Sequence, residues 1–358
     1  MKLGLKKRLA LEFYRLYRKS ETKVHPLTYF FWECTLRCNL HCLHCGSDCV
    51  KDAIPDMPRD DFLQVLDSIT PHIDPKHFMV VITGGEPLMR QDLEECGQEI
   101  QKRGFPWGMV TNGFAMTPKR FSNLINAGLR SMTVSLDGLH QSHDYFRGAS
   151  RSFEQATATI QMACRTPGLT FDVVTCVNRQ NLPELPEIRE LLIGLGLKRW
   201  RIATVFPKGR ARENSLFQLN NAEFKQVFDF IRETKRQGRI DANYGCEGFL
   251  GSYEKEARNY PFFCRAGINI GSVLADGSIS ACPSLRGDYI QGNIYRDDFW
   301  DVWQNRYQVM RDHSWAKIGD CKNCKYWRYC EGSSLHLRDE KSRKLAYCHV
   351  KRLEHAGV

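Results

Sequence analysis

The sequence predicts an α/β protein in which six parallel strands form a partial, TIM-like (β/α)6 barrel and a smaller cysteine-rich domain follows. Short apolar runs alternate with amphipathic segments six times between residues 27 and 205, which is the pattern of strand–helix units in a parallel sheet. Six units fall short of the eight that close a full barrel. After Phe206 the periodic pattern ends, and Cys, Gly and aromatic residues become frequent.

The composition is that of a globular protein without a membrane span. The 358 residues are 42% apolar, and no apolar run approaches the roughly 18–20 residues that cross a bilayer. Met1–Ser20 lacks the apolar core and cleavage site of a signal peptide. The 15 cysteines include CxxxCxxC and CxxC groups, which in a long chain indicates metal ligation in a reducing compartment. We therefore expect a cytoplasmic protein.

The first segment, residues 1–25, is predicted to form a basic amphipathic helix. Its apolar side chains recur at helical spacing, and most of the remaining positions are basic or polar. Two interpretations are open: the helix lies on an anionic membrane surface or an acidic partner, or it packs on the outside of the main domain. The apolar positions are Leu5, Leu9, Phe13, Leu16 and Tyr17.

The main domain is predicted to span residues 26–220. Asp60, Thr117 and Asn181 lie near helix starts and are candidate caps. Ligands of parallel α/β folds bind at the carboxyl ends of the strands, so the loops after the strands should carry the site. Strands are expected at 27–33, 78–83, 107–111, 131–135, 170–177 and 199–205, and helices at 59–70, 90–103, 117–127, 152–165 and 183–195.

A linking helix is expected over residues 221–243, with Asn221 as its cap and Gly238 at its end. The last domain, residues 244–358, contains few long periodic runs. Such a region has too small a core to be stable alone, and metal clusters bound by its cysteines would supply the missing stability.

Three cysteines directly follow the first strand candidate. Cys38, Cys42 and Cys45 form a CxxxCxxC run, which can hold three irons of a 4Fe–4S cluster and leave the fourth iron open. Electron-transfer clusters normally have every iron bound by Cys. The alternatives are a zinc knuckle or a group of reduced thiols. The run resembles the signature of the radical S-adenosylmethionine (radical SAM) superfamily, in which SAM binds the open iron.

The resemblance extends to the ends of other strands and implies a SAM site. The second strand ends in a Gly-Gly-Glu run, where family members bind the amino group of SAM. The fourth strand ends in a Ser-x-Asp run like the family's contacts to the ribose and carboxylate, and a His precedes the third cysteine, where an aromatic residue usually lies beside the adenine. The residues implied in SAM binding are His44, Gly84, Gly85, Glu86, Ser135 and Asp137.

A second cysteine pattern lies in the C-terminal region and resembles the SPASM extension of radical SAM enzymes, in which cysteines hold one or two auxiliary Fe–S clusters. The resemblance implies one fully ligated cluster and a second, less complete one. The alternative for the fully ligated cluster is a structural zinc site on the same cysteines. The first set is Cys321, Cys324, Cys330 and Cys348, and the second is Cys264 and Cys282, with Cys246 as the nearest candidate for a third ligand.

Two positions depart from the SPASM pattern. Ser334 stands where the pattern has another cysteine, which leaves the second cluster short of a ligand. Pro283 stands where sulfatase-maturing members carry an Asp that is proposed as a base, which argues against formylglycine formation. The cysteines that fit no ligand pattern are expected to be reduced thiols; they are Cys34, Cys49, Cys96, Cys164 and Cys176.

The resemblance implies an enzyme that reductively cleaves SAM to a 5′-deoxyadenosyl radical and abstracts a hydrogen atom, with a peptide or protein as the leading substrate. The C-terminal region is similar to a subgroup encoded beside a small predicted lipoprotein. The implied partners are the peptide and a low-potential electron donor such as a flavodoxin or ferredoxin. A peptide leader would be recognised by a separate leader-binding protein or by the SPASM region itself. The net charge of +10 suits acidic partners, and no nucleic acid is expected.

Two other functions stay open at this point. One is a radical SAM enzyme that acts on a small molecule in cofactor or haem-type biosynthesis. The other is a zinc-stapled binding protein without catalysis. Iron and sulfide content would separate the enzymes from the binding protein, because a zinc protein is colourless.

Overall fold

The structure, a computed structural model, describes residues 3–50, 54–245, 247–339 and 341–358. Its strands are β1 (Tyr29–Glu33), β2 (Met79–Thr83), β3 (Trp107–Thr111), β4 (Leu129–Ser135), β5 (Thr170–Val177), β6 (Arg199–Thr204), β7 (Asp241–Tyr244), β8 (Ile270–Val273), β9 (Ser278–Ser280) and β10 (Gly292–Asn293). Its helices are α1 (Leu5–Val24), α2 (Arg59–Ile69), α3 (Leu93–Lys102), α4 (Pro118–Asn126), α5 (His140–Arg147), α6 (Ser152–Cys164), α7 (Leu185–Gly194), α8 (Asn221–Gln237), α9 (Phe299–Asn305), α10 (Gln308–Arg311), α11 (Trp327–Cys330) and α12 (His349–His355).

One sheet contains all of these strands, in the order β10-β9-β8-β1-β2-β3-β4-β5-β6-β7. From β1 to β6 the strands lie side by side in chain order, and each neighbouring pair is parallel, which confirms the predicted partial barrel. The other four strands were not predicted. They have two to four residues each, which is too short for a two-residue period to show in the sequence.

The sheet continues across the predicted domain limits at residues 220 and 244. β7 pairs in parallel with β6, and β8 pairs in parallel with β1. β9 and β10 continue from β8 in antiparallel pairs. The C-terminal region therefore extends both edges of the barrel sheet, while the domain limits themselves stay a prediction.

Aromatic side chains fill the core between the sheet and its outer helices. Trp32 of β1 stacks on Phe62 of α2, with 4.3 Å between ring centroids and 3° between the planes. Phe30 of the same strand meets Phe299 of α9 edge-on at 4.7 Å. All four rings are buried, so they hold α2 and α9 against β1.

The five helices predicted between the strands are present as α2, α3, α4, α6 and α7. α5 was not predicted, because its eight mostly polar residues show no apolar stripe. Thr117 caps α4 as expected, since its hydroxyl accepts a hydrogen bond from the amide of Arg120 at 3.2 Å. Asp60 was wrong as a cap, because it lies within the first turn of α2 after Pro58.

Asn181 was also wrong as a cap, since its side chain connects two strands instead. Its amide group donates to the carbonyl oxygens of Asp137 at 2.7 Å and Cys176 at 3.0 Å. Its side-chain oxygen accepts from the amide of Asn178 at 2.8 Å. This buried side chain therefore joins the carboxyl ends of β4 and β5, at the edge where the site is expected.

α1 begins at Leu5 and ends at Val24, within the segment 1–25 that was predicted to be helical. One of its sides lies against the C-terminal region. The guanidinium of Arg18 donates to the carbonyl oxygen of Tyr329 at 2.6 Å and pairs with Glu331 at 2.6 Å. In the described part of the chain, no helix is long and apolar enough to cross a membrane.

α8 begins with a capping box. The predicted cap, Asn221, was wrong by one position, because the side chain of Asn220 accepts from the amide of Glu223 at 2.9 Å and the Glu223 carboxylate accepts from the amide of Asn220 at 2.6 Å. Gly238 ends the helix with φ of +67°, a left-handed conformation that favours glycine.

Replacing Asn220 with Ala should lower the free energy of unfolding by about 1 kcal/mol, because the amide of Glu223 loses its acceptor. An Asn220→Ser variant keeps an acceptor and serves as the control. Denaturant unfolding measures the loss, and amide hydrogen exchange in the first turn of α8 localises it. Equal unfolding curves for the two variants would contradict the capping box.

Candidate active site

The three N-terminal cysteines lie on a loop, residues 34–50, that follows β1 and crosses the carboxyl end of β2. Backbone hydrogen bonds hold the loop there. The amide of Gly85 donates to the carbonyl oxygen of Thr35 at 2.8 Å, and the amide of Glu86 donates to that of Arg37 at 2.9 Å. The start of this cluster loop thus pairs with the end of β2 as a strand would.

Gly84 and Gly85 make this contact sterically possible. A Cβ atom at Gly84 would lie 2.2 Å from the carbonyl oxygen of Thr35, and one at Gly85 would lie 2.4 Å from that of Arg37. Gly84 also has φ of +150°, which side-chain-bearing residues rarely adopt. The sequence analysis assigned these glycines to the SAM site, and the structure shows that the cluster loop itself lies against them.

Arg210 holds the other end of the cluster loop. Its guanidinium donates to the carbonyl oxygens of Cys42 at 2.8 Å and Cys49 at 3.2 Å. The preceding Gly209 has φ of +53°, and a Cβ there would lie 2.3 Å from the carbonyl oxygen of Cys45. The sequence analysis missed Arg210, because a basic residue in a polar loop after β6 carries no local sign of a contact with residues about 160 positions away.

A cavity of about 260 Å³ lies at the carboxyl ends of the strands and brings most of the predicted residues together. Asp137 is not among its lining residues. The predicted residues that line it are Cys38, His44, Cys42, Cys45, Gly84, Gly85, Glu86 and Ser135.

The three thiols fit a bound cluster. Burial raises the pKa of Cys38 to about 12 and raises the pKa of Cys42 above its ordinary value. A hydrogen bond with the Cys49 thiol lowers the pKa of Cys45 to about 5. Thiolates are the metal-ligating form, and buried thiolates need nearby positive charge. The irons of a cluster would provide that charge.

The thiols are spaced too widely for a single zinc ion. Zinc–sulfur bonds of about 2.3 Å in a tetrahedron bring the sulfur atoms within about 3.8 Å of one another. Across the described ranges, only His44, Asp137 and Cys176 form a group of three ligand atoms within 4.8 Å of one another, and that carboxylate is paired with Arg147. The predicted cysteine sets therefore suit clusters better than zinc.

Glu86 joins the ends of β2 and β3. Its buried carboxylate accepts hydrogen bonds from the hydroxyl of Thr111 at 2.7 Å and from the amides of Asn112 at 2.7 Å and Leu88 at 3.1 Å. Burial raises the pKa of Glu86, and these hydrogen bonds oppose that shift. The carboxylate thus organises one wall of the cavity, while its contact with the amino group of SAM stays a prediction.

His44 presents a neutral ring to the cavity. Burial lowers its pKa to about 4, and the ring stacks on Phe146 with 4.4 Å between centroids. Its buried Nδ1 has no hydrogen-bond partner among the described residues. A neutral ring with an unused polar atom fits a position beside a nucleoside such as that of SAM.

Arg147 connects Asp137 with a cluster cysteine. One guanidinium nitrogen lies 2.5 Å from the Asp137 carboxylate, and another donates to Cys42 Sγ at 3.6 Å. Burial alone would raise the pKa of Asp137, but Arg147 and His44, whose Nε2 is 3.3 Å from the same oxygen, hold it below its ordinary value. Sequence analysis missed Arg147, because it ends the unpredicted helix α5.

The four C-terminal cysteines predicted to bind one auxiliary cluster line a second cavity, of about 250 Å³. Three come from the segment around α11, and the fourth is the residue before α12. A guanidinium nitrogen of Arg338 donates to Cys321 Sγ at 3.5 Å, and burial raises the pKa of Cys330 to about 12. The residues are Cys321, Cys324, Cys330 and Cys348.

The two described cysteines of the second predicted set both border the main core. Cys264 also borders the small apolar cluster that Cys330 borders, and Cys282 follows β9. Cys246 lies outside the described residues. Ser334 is buried, and its hydroxyl donates to the carbonyl oxygen of Glu247 at 2.5 Å. The second auxiliary cluster therefore stays a prediction.

Two family models match the chain. The radical SAM superfamily matches residues 32–192, and the SPASM iron–sulfur cluster-binding domain matches residues 264–325. The first range contains the cluster loop and the ends of β2 and β4. The second contains four of the C-terminal cysteines assigned to clusters.

Relatives of known function match most of the chain. An AdoMet-dependent heme synthase of Methanosarcina barkeri is 27% identical over 84% of this chain and 89% of its own length. The mycofactocin maturase MftC of Mycolicibacterium smegmatis is 26% identical over 85% and 77%, and the PqqA peptide cyclase of Rhizobium meliloti is 27% identical over 82% and 78%.

Solved structures share the fold. anSMEcpe with bound AdoMet has a TM-score of 0.70 at 17% identity, covering 93% of this chain and 94% of that one. Streptococcus suis SuiB bound to S-adenosylmethionine has a TM-score of 0.68 at 16% identity, covering 90% and 77%. With both domain models matched in one chain, this protein belongs to the radical SAM superfamily and is a radical SAM enzyme with a SPASM domain.

Proposed function

We propose that this radical SAM/SPASM enzyme modifies a carboxylate-bearing peptide or protein by abstracting a hydrogen atom from it. The observation that carries the proposal is the junction of two cavities. The cavity that contains the three thiols shares Gly46, Ser47 and Phe206 with a larger cavity of about 600 Å³. A substrate in the larger cavity would thus lie beside the proposed SAM position.

The cofactors supply the reactive chemistry: when bound, a reduced 4Fe–4S cluster cleaves SAM to methionine and a 5′-deoxyadenosyl radical. The chain's own residues would hold and position these groups. Cys38, Cys42 and Cys45 would ligate the cluster, His44 would lie beside the adenine, and the strand end organised by Glu86 would receive the amino group of SAM. Ser135 and Asp137 complete the proposed SAM set, with Asp137 acting from behind the cavity wall.

The larger cavity favours an anionic substrate. Its described lining has four cationic side chains, of which Arg286 is paired with the buried Glu33, against two carboxylates, Asp48 and Asp339. Cavities lined by one sign of charge concentrate ligands of the opposite sign, and this volume lies in the range of small-molecule and peptide side-chain sites. The cationic residues are Lys208, Arg212, Arg286 and Lys341.

The remaining proposed partners follow from charge and from the auxiliary cysteines. The net charge of +10 favours an acidic low-potential donor such as a flavodoxin or ferredoxin. The four C-terminal cysteines would hold one auxiliary Fe–S cluster, and Cys264 and Cys282, with Cys246, would hold a second. A peptide leader would be bound by a separate protein.

A tetrapyrrole is the second candidate substrate. Two relatives that match 84% and 88% of this chain are AdoMet-dependent heme synthases, and the tetrapyrrole precursors of haem carry several carboxylates. The cation-lined cavity suits them as well. Peptides lead because the structural neighbour SuiB was also solved with its precursor peptide SuiA and because the PqqA peptide cyclase acts on a peptide by name.

Changing Cys38, Cys42 and Cys45 together to Ala should abolish 5′-deoxyadenosine formation and remove about four irons per chain, because the proposed cluster loses all its protein ligands. Cys164→Ala, at a partly exposed thiol on α6, is the matched control and should change neither. Chromatography measures the 5′-deoxyadenosine formed, and an iron assay measures the iron content; both use anaerobically reconstituted protein. Continued SAM cleavage in the triple variant would refute the assignment.

The substrate class can be tested with the reconstituted enzyme, SAM and dithionite. Acidic peptides encoded near the gene should change mass, whereas Fe-coproporphyrin should not. Arg212→Glu should raise the KM for such a peptide by about tenfold or more through repulsion of its carboxylates, and Lys119→Glu, on the exposed start of α4, should leave KM unchanged. Conversion of the tetrapyrrole alone would overturn the peptide proposal in favour of the second candidate.

Replacing Arg147 should lower the midpoint potential of the N-terminal cluster, on the order of tens of millivolts, because the cluster loses a nearby cation and an N–H···S hydrogen bond. Arg147→Gln alone strands the buried Asp137 charge, so Arg147→Gln/Asp137→Asn is compared with Asp137→Asn, and the difference between these two variants measures the effect of the cation. Redox titration followed by electron paramagnetic resonance, without SAM, measures the potential. Equal potentials for these two variants at normal iron content would show that Arg147 has no electrostatic role.

A further inference from the structure

α1 turns a continuous apolar stripe away from the protein. Leu5 and Phe13 are 72% and 73% exposed, and the other members of the stripe are about half exposed or more. At about 100° per residue, these side chains fall within roughly 120° of arc and run along the whole helix. The stripe consists of Leu5, Leu9, Phe13, Leu16, Tyr17 and Val24.

Packing against the protein does not account for this stripe. A helix that only covers a domain turns its apolar face inward, whereas α1 buries just Leu11 and Arg18. The docked side makes polar contacts, of Arg18 with Tyr329 and Glu331 and of Lys7 with Glu256 at 2.6 Å. It also makes apolar contacts, through Leu11 and Tyr14. The exposed stripe therefore lies on a different side of α1 from the one that packs against the protein.

The charges on α1 are divided in the same way. Its two carboxylates face the protein: Glu12 accepts from the hydroxyl of Tyr329 at 2.6 Å, and Glu21 accepts from the amide of Asn269 at 2.8 Å. Both glutamates are half-buried. The exposed charged side chains of α1 are all cations, and none is ion-paired within the described residues; they are Lys6, Arg8, Lys19 and Lys23.

We propose that this outward face of α1 binds the surface of an anionic lipid bilayer, with the helix lying in the plane of the interface. An apolar stripe bordered by Lys and Arg is the pattern that inserts shallowly between acidic headgroups. The stripe extends from Leu5 to Val24, a length of about 30 Å, and cations stand near both ends. An extended flat surface matches this arrangement better than a compact protein patch does.

The test is co-sedimentation of the full chain, as reconstituted holoenzyme, with sucrose-loaded vesicles. The protein should bind vesicles of equal phosphatidylglycerol and phosphatidylcholine and stay in solution with phosphatidylcholine alone. Leu9→Ser/Phe13→Ser should weaken binding by at least about tenfold, because two large apolar groups no longer leave water. Lys6→Gln/Lys19→Gln should weaken it to a similar or lesser degree and reduce its sensitivity to salt.

Leu216→Ser removes an apolar side chain that is 54% exposed elsewhere and should leave vesicle binding unchanged. Iron content and 5′-deoxyadenosine formation without vesicles should be normal in every variant, which separates this proposal from the proposed function. Wild-type protein that stays in solution with the acidic vesicles would overturn it. So would a Leu9→Ser/Phe13→Ser variant that binds vesicles normally, or one that loses only self-association or binding to an acidic flavodoxin.

Discussion

The site depends on one backbone contact, in which the cluster loop lies directly on the carboxyl end of β2. The loop can come this close because residues 84 and 85 have no side chains, and the hydrogen bonds from Gly85 and Glu86 then continue the pairing of β1 with β2. Three thiols on a flexible loop would not hold a fixed spacing. Because this loop is anchored to the sheet at one end and by Arg210 at the other, its thiols are held in fixed positions at the ends of the strands.

Buried charge is arranged around the same loop. The Asp137–Arg147 pair lies against Cys42, so a fixed cation stands beside a proposed cluster ligand. Glu86 uses its carboxylate to join β2 with β3, and Asn181 joins β4 with β5. Each strand end is therefore held by a buried polar contact rather than by apolar packing. Such contacts set positions more sharply than packing does, because an unpaired buried polar group is costly.

The C-terminal region is built onto the barrel rather than attached to it by a linker. β8 extends the sheet beside β1, and the buried Glu33 at the end of β1 accepts from the amide of Ala275 at 3.1 Å and pairs with Arg286. Arg286 also lines the larger cavity. The proposed substrate cavity thus has walls from both regions, which lets the C-terminal region influence which substrates fit. α1 packs on that region through its other side, so its apolar stripe stays exposed.

The sequence by itself determined the fold class, the six strand–helix units and the cysteine sets, because these are local patterns: a two- or 3.6-residue period and the spacing of ligands within one loop. It also indicated the glycines at the end of β2. Only the tertiary structure decided why those glycines are required, that Arg147 and Arg210 approach the cluster loop, and that short strands after residue 240 complete the sheet. These features are contacts between residues distant in the chain. A single sequence does not report such contacts, because the partner contributes nothing to the local pattern.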